Sequence, residues 1–292
     1  MEKKRIVILG CENSHAATFL GFLRDRPEKY PDIEVAGVFS EFEGAGEKLA
    51  ETFGVPLLPS FDCLAGSVDG VAVTARRGAD HLRFARPYIR SGVPMFIDKP
   101  ITASEDEAVE LAQTCKAAGV RLTGGSCCVH CDMVRELKAK VASAGALGGF
   151  VRAPISLEND FGGFSFYAQH PVEILCEIFG RYPSSVSAVR SPAGVSALIR
   201  YPQYDVPLLM TDKIYVYSAY AALPGGTDGG DFPVTSKSPC FADEFDAFAS
   251  LLRGKDQPAS YEDFIAPVFV INALERSLLS GSEEPVHPVP AL

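Results

Sequence analysis

From residue 5 to about residue 125 the chain alternates short, apolar, β-branched runs with amphipathic stretches, and no other feature narrows its architecture as far. Strands are expected at 5–9, 33–39, 56–58, 70–74, 94–97 and 120–123, with helices over 14–25, 44–53, 80–91 and 104–118 between them. Such alternation marks βαβ units wound about a parallel sheet. The last of these helices carries a start signal, Ser104 followed three residues on by Glu107, with Ala108, Leu111, Ala112 and Cys115 at helical spacing behind it.

Past residue 125 the character changes. One helix is expected near 130–143, then apolar–polar alternation at 184–190, 195–201 and 213–221, which reads as a largely antiparallel sheet. The Gly-rich run 224–230 reads as a mobile loop, because it offers nothing to anchor to a core. Helices are expected at 240–253 and 261–279, and there is no internal repeat. The expectation is an α/β protein of two domains. Residues 1–125 form a doubly wound parallel sheet, and 126–292 an α/β domain with an open, mainly antiparallel sheet.

At 292 residues and 47% apolar, the chain has material for two cores. Its net charge of −10 is spread along the sequence, which argues against nucleic acid and against an anionic membrane surface. The apolar run Ile6–Leu9 is far too short for a signal segment, and no stretch approaches the roughly 18 to 20 apolar residues that span a bilayer. A cytoplasmic protein is expected, its eight cysteines reduced. The cluster Cys127, Cys128, His130 and Cys131 lacks the two separated pairs of a zinc site, so buried thiols are expected there and no metal.

In a doubly wound sheet the ligand lies at the carboxyl ends of the strands. The first strand leads into Gly10-Cys11-Glu12-Asn13-Ser14-His15, where a dinucleotide fingerprint wants G-x-G-x-x-G. Only Gly10 fits, Glu12 and His15 standing at the other two glycine positions. A carboxylate beside a pyrophosphate repels it, although helix-start amides after Asn13 or Ser14 still suit an anion. His15 reads equally as a surface residue at a helix start or as a pocket residue. The second strand ends at Ser40 and Glu41, and no Arg or Lys follows until Lys48, which leans toward NAD over NADP. Arg76 and Arg77, after the fourth expected strand, read as cleft-rim anion ligands or as solvated surface charges.

The run Val68–Thr74, then His81, then Ser91-Gly92-Val93-Pro94 leading into Asp98-Lys99-Pro100, resembles the Gfo/Idh/MocA oxidoreductases. The likeness continues through Gly145-Ala146-Leu147-Gly148-Gly149 and Gln169-His170-Pro171-Val172-Glu173 to closing helices between Glu244 and Gly281. It implies a Rossmann domain joined to an open-sheet domain, with NAD or NADP and a sugar, cyclitol or related polyol between them. Lys99 would polarise the substrate oxygen, His170 would be the acid/base and Tyr167 a further catalytic residue. Cofactor contacts would fall on Gly10, Glu12, Asn13, Ser14, His15, Ser40 and Glu41, and on Thr74, Arg76, His81, Asp98 and Lys99. The resemblance also implies a homodimer or homotetramer joined through the open sheet.

The departures are Glu12, His15 and Phe166, which stands where the family often has an Asp four residues before the histidine. The chain is also short for the family, so a sheet trimmed in the second domain is expected. Phe161, Phe164, Phe166 and Tyr167 read as a pocket wall or as core. The leading expectation is an NAD(P)-dependent oxidoreductase. A non-catalytic sensor or binding protein on the same scaffold is the alternative, and elimination or hydrolysis with tightly held NAD is a third.

Overall fold

The computed structural model describes residues 3–212 and 214–292. It divides into two compact units, one of residues up to Gly125 with Phe241–Phe264 and Leu292, the other of Ser126–Cys240 and Ile265–Ala291. The main segment of the first unit ends at Gly125, and the segment from Phe241 to Phe264, read as part of 126–292, packs with that unit.

The first unit runs β1 (Lys4–Leu9), α1 (Ser14–Asp25), β2 (Ile33–Phe39), α2 (Ala45–Phe53), β3 (Gly70–Val73), α3 (Gly78–Ile89), β4 (Met95–Asp98), α4 (Glu105–Ala118) and β5 (Leu122–Gly125). The five strands are parallel in the order β2-β1-β3-β4-β5. Ile6, Val7, Ile8 and Leu9 are all buried, as a strand covered on both faces requires. The short strand expected at 56–58 is a single parallel bridge, Val38 to Leu57, beside β2. Ser104 accepts from the Glu107 amide at 3.2 Å, and Glu107 reaches back to the Ala103 amide at 3.1 Å, one residue before the helix cap.

The second unit holds a 3-10 turn (Cys127–His130), α5 (Asp132–Ala144), β6 (Gly148–Ile155), α6 (Phe164–Phe179), β7 (Ser185–Ser191), β8 (Gly194–Arg200), β9 (Asp205–Asp212), β10 (Tyr217–Leu223) and β11 (Gly226–Phe232). Then come α7 (Cys240–Leu252), α8 (Tyr261–Ser280) and β12 (Glu284–Pro285). The seven-stranded sheet is ordered β11-β10-β6-β9-β8-β7-β12, antiparallel except for β6 beside β9. The strand read at 213–221 begins at Lys213, which lies outside the described residues, and β10 starts only at Tyr217. The Gly-rich run is no mobile loop but a turn and an edge strand. Gly229 sits at φ 137°, where a Cβ would meet the Ala219 carbonyl oxygen at 2.1 Å, so only glycine lets β11 lie against β10. β6, β9, α6 and the short β12 went unread: β6 and β9 contain Pro154 and Pro207, which resemble strand breaks, and α6 is buried nearly all round and shows no amphipathic stripe.

Within the first unit, α7 sets Phe245, Phe248, Ala249 and Leu252 against Ile6, Ile8, Phe19, Phe96 and Ala72. Gly70 makes room for this, since a Cβ there would meet a Leu252 methyl at 2.4 Å. Among the described residues no helix is long and apolar enough to cross a membrane.

Candidate functional site

The loops at the carboxyl ends of β1, β3 and β4 are bound together by a buried polar network. Gly10 adopts φ 95° against Ala75, where a Cβ would meet backbone atoms at 2.3 Å, and its carbonyl accepts the Thr74 hydroxyl at 2.6 Å. Asn13 caps α1, accepting from the Ser14 amide at 2.8 Å and donating through Nδ2 to Asp98 Oδ2 at 2.6 Å. The other Asp98 oxygen accepts from the Lys99 amide at 2.7 Å. Lys99, only 4% exposed, precedes Pro100 through a cis peptide bond. His81 is buried, its ring nitrogens facing the Ala75 and Ile101 carbonyls at 2.8 and 3.3 Å, so it clamps the loops after β3 and β4.

His15 is neither a surface residue nor an open pocket residue. Nδ1 lies 3.0 Å from Asp98 and Nε2 3.1 Å from Glu244, with all three groups buried. Burial alone would lower the imidazole, but the charges of Asp98 and Glu244 overcome it and push the value up to about 10. Burial works to raise Asp98, and the His15 charge, then Lys99, hold that carboxyl below its ordinary range. Glu244 was missed from the sequence. Its signal was present, a lone acid on the helical face that carries Phe241, Phe245 and Phe248.

Glu12 spans three loops: one oxygen accepts the Ser40 hydroxyl at 2.8 Å and the other the Arg76 amide at 2.9 Å. Glu41, expected to reach a ribose, is instead held by a bidentate pair with Arg83 at 2.7 and 2.6 Å, and Arg77 lies over the Phe42 ring. The positive charge near β2 comes from α3 and its approach, not from the loop following β2; Arg77 was singled out in the sequence and Arg83 was not.

In the second unit His170 lies on α6 and is buried. Its Nδ1 is 2.7 Å from the Ser126 hydroxyl and 3.7 Å from Cys128 Sγ. Glu173, one turn along, accepts from the Ser126 amide at 3.0 Å and from Gln169. Burial pushes the Glu173 carboxyl up to about 7 against those two donors. The Tyr167 ring stands edge-on to His170 at 4.9 Å, and burial raises its phenol to about 12, so it stays protonated. Phe166 packs on Phe161 and Tyr167. Ser126, Cys128 and Glu173 were not singled out for this site, because their bearing on His170 exists only after α6 packs against the 3-10 turn.

The fold is that of a doubly wound α/β protein with a lysine at a central strand end and an appended mixed-sheet unit. Residues 4–126 match the Gfo/Idh/MocA model, an oxidoreductase family with an NAD-binding Rossmann fold, and the resemblance read from the motifs holds there. No curated protein matches the chain in sequence. Among solved structures it is similar to scyllo-inositol dehydrogenase from Lactobacillus casei with bound NAD(H) and scyllo-inositol, at 15% identity and TM-score 0.82, covering 98% of this chain and 99% of that one. It is also similar to GenD2 from gentamicin A biosynthesis in complex with NAD, at 18% identity and TM-score 0.79, covering 98% and 97%. A putative myo-inositol dehydrogenase from Sinorhizobium meliloti 1021 gives 16% and 0.78, covering 98% and 100%. Such coverage, with seven strands in the second sheet, corrects the expectation of a trimmed domain.

The first unit fits the dinucleotide of that family with altered contacts. Gly10 keeps the tight turn of the fingerprint, and the crevice between β1 and β3 is the point where the strand order reverses. Glu12, however, already engages the Ser40 and Arg76 donors, and a carboxylate accepts from hydroxyls while repelling phosphate oxygens. This corner suits a ribose diol better than a phosphate.

Proposed function

We propose that the protein is an NAD(P)-dependent oxidoreductase that moves a hydride to or from a sugar, cyclitol or related small polyol or carbonyl compound. The observation that carries this reading is Lys99, a lysine buried at the carboxyl end of β4 with its backbone fixed by Asp98. The family match and the similarity to inositol dehydrogenases support it. A bound nicotinamide supplies or takes up the hydride. Gly10, the start of α1, Ser40, Glu12 and Thr74 would hold the nucleotide, with NAD favoured because Glu12 repels an added phosphate.

Lys99 donates to the substrate oxygen and stabilises alkoxide charge as it develops. His170, whose Nδ1 faces Ser126 and Cys128, exchanges the hydroxyl proton through Nε2. Tyr167 confines the imidazole edge-on. Lys99→Ala is expected to lower turnover by about a hundredfold or more, in line with loss of a positioned donor to an oxyanion. The assay is nucleotide absorbance with inositols and keto-sugars as substrates. Unchanged turnover in a folded Lys99→Ala protein overturns the reading.

Glu12 favours one second reading, a ligand-binding protein without turnover on the same scaffold. Calorimetric titration of NAD, NADH, NADP and NADPH separates the two. Micromolar binding, about −8 kcal/mol, supports the enzyme, and no binding of any of the four supports the sensor. Association through the outer sheet face, where Val189 and Leu209 are exposed, is part of the proposal, and a monomer in sedimentation would remove it.

A further inference from the structure

One polar neighbour of His170 has no counterpart in the proposed mechanism. Cys128 is fully buried, with its Sγ 3.7 Å from His170 Nδ1. Its backbone amide donates to the Ser126 hydroxyl oxygen at 3.2 Å, and that oxygen lies 2.7 Å from the same Nδ1. The 3-10 turn therefore aims both a hydroxyl and a thiol at one ring nitrogen.

We propose that Cys128 is the charge partner of His170, giving up its proton to Nδ1 to form a buried thiolate–imidazolium pair that leaves Nε2 as the nitrogen exchanging protons with substrate. The transfer moves one proton from sulfur to nitrogen, and nothing is oxidised or reduced. Cys128 is thereby a positioning residue acting through His170. It selects the tautomer with Nδ1 protonated, as a carboxylate does in other acid/base pairs.

No carboxylate competes for the role among the described neighbours. The preceding turn of α6 presents Phe166, packed on Phe161 and Tyr167. Glu173 is turned to the Ser126 amide and Gln169, and burial holds its carboxyl up at about 7. The other titratable groups facing the thiol are Cys127, Cys131, Tyr167 and Tyr217, all without positive charge. Burial by itself would raise the Cys128 thiol. The bond from Cys127, the His170 charge and the Ser126 hydroxyl outweigh it and hold the thiol well below its ordinary value.

This inference rests on His170 as the acid/base, yet its test needs no turnover, so the two fail separately. Thiolate ultraviolet absorbance is titrated in wild type, Cys128→Ser and His170→Gln. The expected result is a thiolate already present at pH 7 in wild type and lost in both variants. An ordinary thiol midpoint near 8.5 in wild type, or a neutral-pH thiolate that survives His170→Gln, overturns the proposal. Should a variant not fold, the nitrogen shifts of His170 in the wild-type protein decide alone. Both nitrogens protonated at pH 7 agree with the pair, and a neutral ring refutes it.

Discussion

Raising the pH should unfasten the first unit at His15. The imidazole ordinarily titrates at 6.5 and is pushed to about 10 here, because Asp98 and Glu244 face its two nitrogens inside the protein. At about 1.4 kcal/mol per pH unit, the gap is worth about 5 kcal/mol when fully expressed. The folded value lies above the unfolded one, so the contribution is whole below pH 6.5 and disappears as the pH climbs through about 10. Linkage leaves about 4 kcal/mol at pH 7 and about 1 kcal/mol at pH 9. The assay is urea unfolding followed between those pH values, comparing wild type with a His15→Gln, Asp98→Asn, Glu244→Gln triple variant that has the same shape and no charge. Wild type should lose about 2 to 3 kcal/mol more than the triple variant over that range, with unchanged m-values. His15→Gln alone, leaving two buried carboxylates without the imidazolium between them, should cost about 3 to 5 kcal/mol at pH 7. Parallel pH profiles for wild type and triple variant would refute the argument.

Two further outcomes test the crevice. Glu12→Gly removes the carboxylate that suits a ribose diol and repels an added phosphate, and it frees the Ser40 hydroxyl and the Arg76 amide, so the preference for NADH over NADPH by calorimetry should fall about tenfold; an unchanged preference would show that Glu12 does not face that position. Gly10→Ala forces a side chain onto the Ala75 backbone at a left-handed φ and should cost at least about 1 to 3 kcal/mol in urea unfolding, whereas a variant as stable as wild type would mean that the loop relaxes freely.

The helices and strands of the first unit were legible because their signals are local. The short β-branched run Ile6–Leu9, closed by Gly10, reads as a strand buried on both faces, and Ser104 with Glu107 reads as a helix start. The ordered motifs leading to Lys99 carried the resemblance to the family whose model matches residues 4–126 in the same way, since each is a short string. Signals that depend on partners misled or stayed silent. The glycines of β11 looked like a loop until β10 supplied a strand to lie against. Glu41 looked like a ribose ligand until α3 brought Arg83 to it. His15 could not be told from a surface residue until β4 and α7 set Asp98 and Glu244 on either side, and Cys128 was one of several thiols until α6 carried His170 to it. Apolar periodicity and capping act between residues a turn apart, so the sequence carries them whole. Charge and hydrogen-bond pairing act between groups that are neighbours only in the folded chain, and there the tertiary structure decided.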